Sequence, residues 1–150
     1  MQTNENKIQN ALIDIINGLK QSMRVAMHQH NVSLSPLYFI VMKHIDEDEQ
    51  CTAIKLASKL QKDKGQITRL IKELEVQELL TREPNTKDKR SFFLSLTRKG
   101  KNCYKTLEKH DIEALQVMMQ GLSDEQIAAF IEIANTMAAN LAEHNQQAPH

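Results

Sequence analysis

The sequence predicts a mainly α-helical fold broken once by a β-hairpin, and three observations predict it. Apolar residues recur with a helical period along most of the 150-residue chain. The core material is Leu, Ile, Ala and seven Met against four Phe, two Tyr and no Trp, a supply that suits helices better than sheet. Period-two alternation is confined to a short stretch after Leu79-Leu80. A chain of this length that is 41% apolar has enough material for a core, and a single domain over 1–150 is expected.

From Lys7 to about His30, Ile8, Leu12, Ile15, Leu19, Met23 and Ala26 form one stripe, widened by Ala11 and Ile16, so the first helix is amphipathic. Ser35 then Pro36 read as an N-cap with proline at the first helical position, and Leu37 to Ile45 is apolar almost all round, which predicts a buried second helix. The acidic run Asp46 to Glu49 ends it. Thr52 caps a short third helix bearing Ala53, Leu56, Ala57 and Leu60, and a turn follows at Gln61-Lys62. Asp63 with Gln66 resembles a capping box, and Ile67, Leu70, Ile71 and Leu74 mark the inward face of a fourth helix. Two short helices so joined make a helix-turn-helix.

Thr81 to Glu83, stopped by Pro84, and Phe92, Leu94, Leu96 alternating with Phe93, Ser95, Thr97 read as two strands. Their connection, Asn85 to Arg90, is polar and basic, so the hairpin projects as a charged wing. A long helix from Lys101 carries Tyr104, Leu107, Leu115 and Met118 to a break at Gly121. Ser123 and Gln126 form another capping box, and Ile127, Phe130, Ile131, Ala134, Met137, Ala138 and Leu141 continue one apolar face. Residues 144–150 read as a loose tail.

Charge is segregated along this framework. The chain is neutral overall, with 19 basic and 19 acidic residues, yet Thr52 to Lys101 holds thirteen Lys and Arg against six acids, a net +7 balanced by −7 in the flanks. A local cationic footprint attracts polyphosphate. With Ile67, Leu70, Ile71 and Leu74 turned inward, a rotation of about 100° per residue puts Gly65, Arg69 and Lys72 on the outer face and Gln66 and Thr68 on its flanks. A surface that is small, polar and basic suits a major groove, where amide and guanidinium groups meet base edges and hydroxyl and ammonium groups meet phosphates. In the wing, Asp88 and Arg90 lie two residues apart, on one side of an extended segment, so the carboxylate can hold a guanidinium aimed at a minor groove.

These residues carry a family resemblance. Leu34-Ser35-Pro36 with Phe39 and Val41-Met42, Leu56-Ala57 with Leu60, Ile67-Thr68-Arg69-Leu70 with Leu74-Glu75 and Leu79-Leu80, and Asp88-Lys89-Arg90-Ser91 with Leu94-Ser95-Leu96-Thr97 and Gly100 together resemble the MarR family of winged-helix regulators. The resemblance covers nearly the whole chain. It implies a winged helix-turn-helix lobe over about 34–100, and a dimerisation lobe in which 7–30 and 101–143 interleave between two subunits. It further implies a transcription factor, usually a repressor, whose homodimer binds a pseudopalindromic double-stranded DNA operator and releases it to a small effector, a metal or an oxidant. By position, Lys64, Gly65, Gln66, Thr68, Arg69 and Lys72 match the recognition helix, and Lys87, Asp88, Lys89 and Arg90 the wing.

For sensing, the resemblance implies a pocket lined by the first, second and fifth helices. Met27, Tyr38 and Met42 are its candidates, since a phenol beside adaptable thioethers suits a flat aromatic or phenolic ligand; ordinary core packing is the competing reading. Cys51, near the start of the third helix, is a redox candidate because the helix dipole favours thiolate there. His28, His30, His44 and His110 show no spacing that singles out a metal site. No cofactor is expected.

Gly-rich phosphate loops, a nucleophile elbow, HExxH and CxxC are all missing from the sequence, so an enzyme is not expected. The polar start and the lack of a run of about 20 apolar residues predict a cytoplasmic protein with no membrane partner, with Cys51 and Cys103 reduced. Two other functions fit the same basic module: a sequence-neutral architectural DNA binder, and a winged helix that binds protein.

Overall fold

The computed structural model describes residues 1–148. In chain order it contains α1 (Asn4–Gln29), α2 (Pro36–Glu47), α3 (Ala53–Leu60), α4 (Lys64–Val76), β1 (Leu80–Pro84), β2 (Phe92–Leu96), α5 (Arg98–Met118) and α6 (Asp124–Gln147). The predicted fold class is the observed one, mainly helical with a two-stranded antiparallel hairpin. The chain divides into two compact units, Met1–Ala114 and Leu115–His150, with the boundary inside α5. Among the described residues, every buried apolar residue lies between Met23 and Leu107.

Within the first unit, local chemistry sets the helix starts. Thr3 Oγ1 accepts from the Asn6 amide at 3.3 Å, Thr52 Oγ1 from Lys55 at 3.3 Å and Asp63 Oδ1 from Gln66 at 2.8 Å, each satisfying an amide that has no partner inside its helix. Pro36 opens α2, its missing N–H costing nothing at that position. The α3–α4 turn is made by Gln61 in the left-handed region, φ 52°.

The core joins Phe39, Val41, Met42 and Ile45 of α2 to Leu56 of α3, to Ile67, Leu70, Ile71 and Leu74 of α4, and to Leu94 and Leu96 of β2. Burying a side chain such as Leu56 or Leu74 contributes about 2 kcal/mol. Tyr104 of α5 is 2% exposed; its ring stacks on Phe39 with centroids 5.5 Å apart, and its hydroxyl donates to Glu108 at 2.6 Å. The hairpin pairs Leu80 with Leu96, Arg82 with Leu94 and Pro84 with Phe92. The Leu94 amide also donates to the Cys51 carbonyl at 2.8 Å, so β2 is held on its other edge by the segment preceding α3. Alternation puts Phe92 on the same face of the strand as Leu94 and Leu96. Phe92 shares their face but lies past the end of the core, 44% exposed, under the Arg82 guanidinium.

A compact junction joins α4, the hairpin and α5. Glu78, in the left-handed region at φ 61°, turns the chain out of α4. The Thr97 amide donates to the Leu79 carbonyl at 3.0 Å, the Thr97 hydroxyl donates to the Glu78 carbonyl at 2.6 Å, and the same hydroxyl oxygen accepts from the Gly100 amide at 3.0 Å, capping α5. Lys99 Nζ donates to the Gln77 carbonyl at 3.1 Å. Gly100 packs so closely that a Cβ would fall 2.0 Å from the Leu79 carbonyl oxygen. The Leu-Thr-x-x-Gly run is therefore a structural device.

α5 starts at Arg98, three residues before the position read from periodicity, because Thr97 is its cap. In the second unit, Gly121 at φ 83° makes the turn, and both bonds of the predicted capping box are present, Ser123 Oγ accepting from the Gln126 amide at 3.2 Å and the Ser123 amide donating to Gln126 Oε1 at 2.9 Å. At Asp63 and Gln66 only the first of the two bonds forms. α6 reaches Gln147, so residues 144–147 of the expected tail are helical; positions 149–150 lie outside the described residues. None of its residues is buried, and Phe130, Ile131, Met137 and Leu141 are 42–61% exposed.

Replacing Gly100 with Ala should destabilise the protein. The helix-propensity gain of about 1 kcal/mol is outweighed by an overpacking cost of about 3 kcal/mol against a backbone atom that cannot rotate away. Thermal unfolding should show a midpoint several degrees lower; an unchanged midpoint would contradict the close packing of this junction.

Candidate nucleic-acid interface

α4 is built to expose one face. Ile67, Leu70, Ile71 and Leu74 are buried, and Lys64, Gly65, Gln66, Thr68, Arg69 and Lys72 are all exposed. The reason is periodicity: one buried residue every third or fourth position leaves the remaining positions outside. Gly65 sits beside the Asp63 cap, where a Cβ would come within 3.3 Å of the capping oxygen, so a small residue leaves the cap undisturbed. Thr68 donates its hydroxyl proton to the Lys64 carbonyl at 2.8 Å. Among the described residues, Lys64, Arg69, Lys72, Lys87 and Lys89 form no ion pair, so their field is uncompensated at close range.

The wing is shaped by side-chain-to-backbone bonds. Asn85 Oδ1 accepts from the Lys87 amide and Asp88 Oδ1 from the Arg90 amide, both at 3.0 Å, while Asn85 Nδ2 donates to Ser91 Oγ at 3.1 Å. These local turns order the connection. The carboxylate and guanidinium of Asp88 and Arg90 do meet, at 3.6 Å, but Arg90 is 94% exposed and the shorter bond goes to its own amide. Asp88 therefore sets the backbone of the tip and only loosely holds the arginine head.

At the base of the wing, sequence reasoning missed a second arginine. Arg82 Nη2 and Nε both donate to Glu75 Oε1, at 2.6 and 2.9 Å, and the guanidinium lies 5.8 Å from the Phe92 ring centroid. The pairing has a seven-residue separation across a helix end and a strand, which no local periodicity reveals.

The sensing candidates are placed differently from expectation. Met27 and Met42 are 2% and 0% exposed within the core and line none of the surface grooves described below. Tyr38 is half-buried and opens, with Lys62, Gln66 and Arg69, onto a shallow groove between α2 and α4; burial and Glu73 raise its pKa. A separate groove of about 390 Å³ lies between α1, α2 and α5, walled by Ile16, Leu19, Met23, Leu37, Phe39 and Ile40, with Lys20, Lys62 and Asp111 at its polar edge. Burial raises the Asp111 pKa, and Lys43 partly offsets this.

Cys51 does not have the activated thiol that its place before α3 suggested. It is 2% exposed, and burial, reinforced by Asp48, pushes its pKa up to about 11 against the weaker pull of Lys59 and Lys55. Desolvation outweighs the helix dipole. Burial raises Cys103 as well. Of the four histidines considered, two meet: His30 and His110 share a hydrogen bond, Nε2 to Nε2 at 2.9 Å, with Glu113 3.8 Å from His110 Nδ1. Among the described residues, no group of three or more His, Cys, Asp or Glu is arranged to hold a metal.

Residues 34–92 match the sequence profile of the MarR family. The HTH-type transcriptional regulator SarZ of Staphylococcus aureus is 36% identical over 63 residues, which span 42% of this chain and 43% of that relative. Among solved structures, Streptococcus pneumoniae FabT in complex with DNA superposes with a TM-score of 0.82 at 19% identity, over 93% of this chain and 99% of that one. The S. aureus MepR-DNA complex gives 0.79 at 18% identity over 93% and 99%. A crystal structure of MarR gives 0.79 at 16% identity over 99% of each chain. At these identities the structural likeness establishes the fold. Residues 34–92 are therefore similar to the winged helix-turn-helix of the MarR family, within a chain whose fold is that of MarR-type structures.

Proposed function

We propose that the protein is a DNA-binding transcriptional regulator that acts as a homodimer on a pseudopalindromic operator, as a ligand-responsive repressor. The observation that carries this reading is the pairing, on one lobe, of an exposed and unpaired basic helix face with a wing ending in a 94% exposed arginine. α4 enters a major groove through Gln66 and Arg69, with Lys64 and Lys72 on flanking phosphates, and Arg90 enters the neighbouring minor groove. Two copies present their α4 helices about 34 Å apart, one helical turn of duplex.

The apolar faces left uncovered on α1, where Ile8, Leu12 and Ile16 are 45–49% exposed, and on α6 support dimerisation through the chain ends. The effector is a small aromatic or amphipathic anion. Its site is the groove between α1, α2 and α5, where apolar walls meet Lys20 and Lys62, in place of Met27 and Met42. It acts by favouring a dimer whose two α4 helices are wrongly spaced for DNA.

Selection of bound sequences from a random duplex pool tests the reading directly. Recovery of a palindromic consensus at physiological salt supports a regulator, uniform retention of all duplexes supports an architectural binder, and no retention at low salt supports a protein-binding module. On the selected duplex, Arg90→Ala should weaken binding at least tenfold; unchanged affinity would remove the wing from the interface. Lys72→Ala should make the slope of log K against log salt shallower by about one unit, as expected for one lost phosphate contact. An unaltered slope would assign Lys72 to solvent. Leu141→Glu should shift the protein toward monomer in sedimentation, and a fully dimeric variant would exclude the α6 face from the interface.

A further inference from the structure

The inward face of the hairpin runs from Leu80 and Leu96 through Leu94, all buried, to Arg82 and Phe92 at the edge of the core. There the apolar contact between hairpin and α4 gives out, and a polar tie replaces it. Glu75 belongs to α4, one turn beyond Lys72. Arg82 belongs to β1, the strand that leads into the wing, and Phe92 opens β2 two residues after Arg90. The guanidinium gives two N–H bonds to a single Glu75 oxygen, at 2.6 and 2.9 Å, and lies over the Phe92 ring. Both ionic partners are about one-third exposed, so water screens the pair and its net worth to folding is small. Its geometry is nevertheless specific: a planar fork held on one side by a carboxylate and on the other by an aromatic face permits few orientations.

We propose that Arg82 is a positioning residue for DNA binding, fixing the wing relative to the exposed face of α4 through Glu75 and Phe92. The inference rests on the reading of α4 and the wing as a joint DNA interface and adds the residue that sets their spacing. Arg82 is itself committed to Glu75, whereas the basic residues of the outer α4 face have no acidic partner. It acts by holding Arg90 where a minor groove lies when α4 occupies the adjacent major groove, so that less ordering remains to be done on binding.

The variant Glu75→Ala separates this role from simple electrostatics. Removing a carboxylate beside a phosphate backbone should, by charge alone, tighten binding. Loss of the tie should instead weaken binding five- to tenfold on the selected duplex. Arg82→Lys and Arg82→Gln should weaken it to a similar degree with the salt slope unchanged, since neither variant removes a phosphate contact. In the DNA-free protein, residual dipolar couplings of α4 and hairpin amides should fit one rigid frame in the wild type and need two in Glu75→Ala and Arg82→Gln. Tighter binding by Glu75→Ala, a slope reduced by about one unit in Arg82→Gln, or couplings that still fit one frame in the variants would overturn the proposal. If the wild-type protein retains no duplex, the DNA reading fails and the dipolar couplings alone decide whether Arg82 positions the wing.

Discussion

The arrangement of the first unit depends on the close approach of two backbones at Gly100 and Leu79. The chain leaves α4, makes a hairpin and begins α5 within about two dozen residues, and three segments must converge without leaving buried polar groups unpaired. Thr97 solves this with one side chain and its own amide, which between them satisfy carbonyls at Glu78 and Leu79 and the Gly100 amide. A missing Cβ at residue 100 lets α5 sit against the end of α4. Everything proposed for the wing presupposes that this corner is rigid, because the hairpin is anchored at its base by the same residues.

Much of this was legible in the sequence, for identifiable reasons. The inward faces of α3 and α4 followed from spacing, and the caps at Thr52, Asp63 and Ser123 from residue type, since both signals are local. The strands were visible as alternation, and Gly121 as a helix stop. What escaped was non-local. Arg82 and Glu75 are joined across a turn, and β2 is held by the Cys51 carbonyl more than forty residues away. The effector candidates show the limit of residue type: Met27 and Met42 have the chemistry of adaptable pocket walls, but the same chemistry suits the best-packed centre of a core. Cys51 shows a second limit, since a sequence reveals a helix start but not how completely the residue beside it is desolvated.

Neutral overall charge is a poor guide to this molecule because its charges are sorted by position. The basic residues cluster on the segment with the exposed groove-sized helix and hairpin, and the compensating acids lie in the flanks. An electrostatic reading therefore has to be made lobe by lobe.

Thr68 has an implication for how bases would be read. Its hydroxyl proton is already given to the Lys64 carbonyl, so the outer surface of α4 offers one donor fewer than its residue types suggest, and Thr68 meets a partner only as an acceptor or through its methyl group. Under the proposed DNA reading, discrimination between base pairs would then fall on two long, rotamer-rich side chains, Gln66 and Arg69, which would have to be ordered on binding.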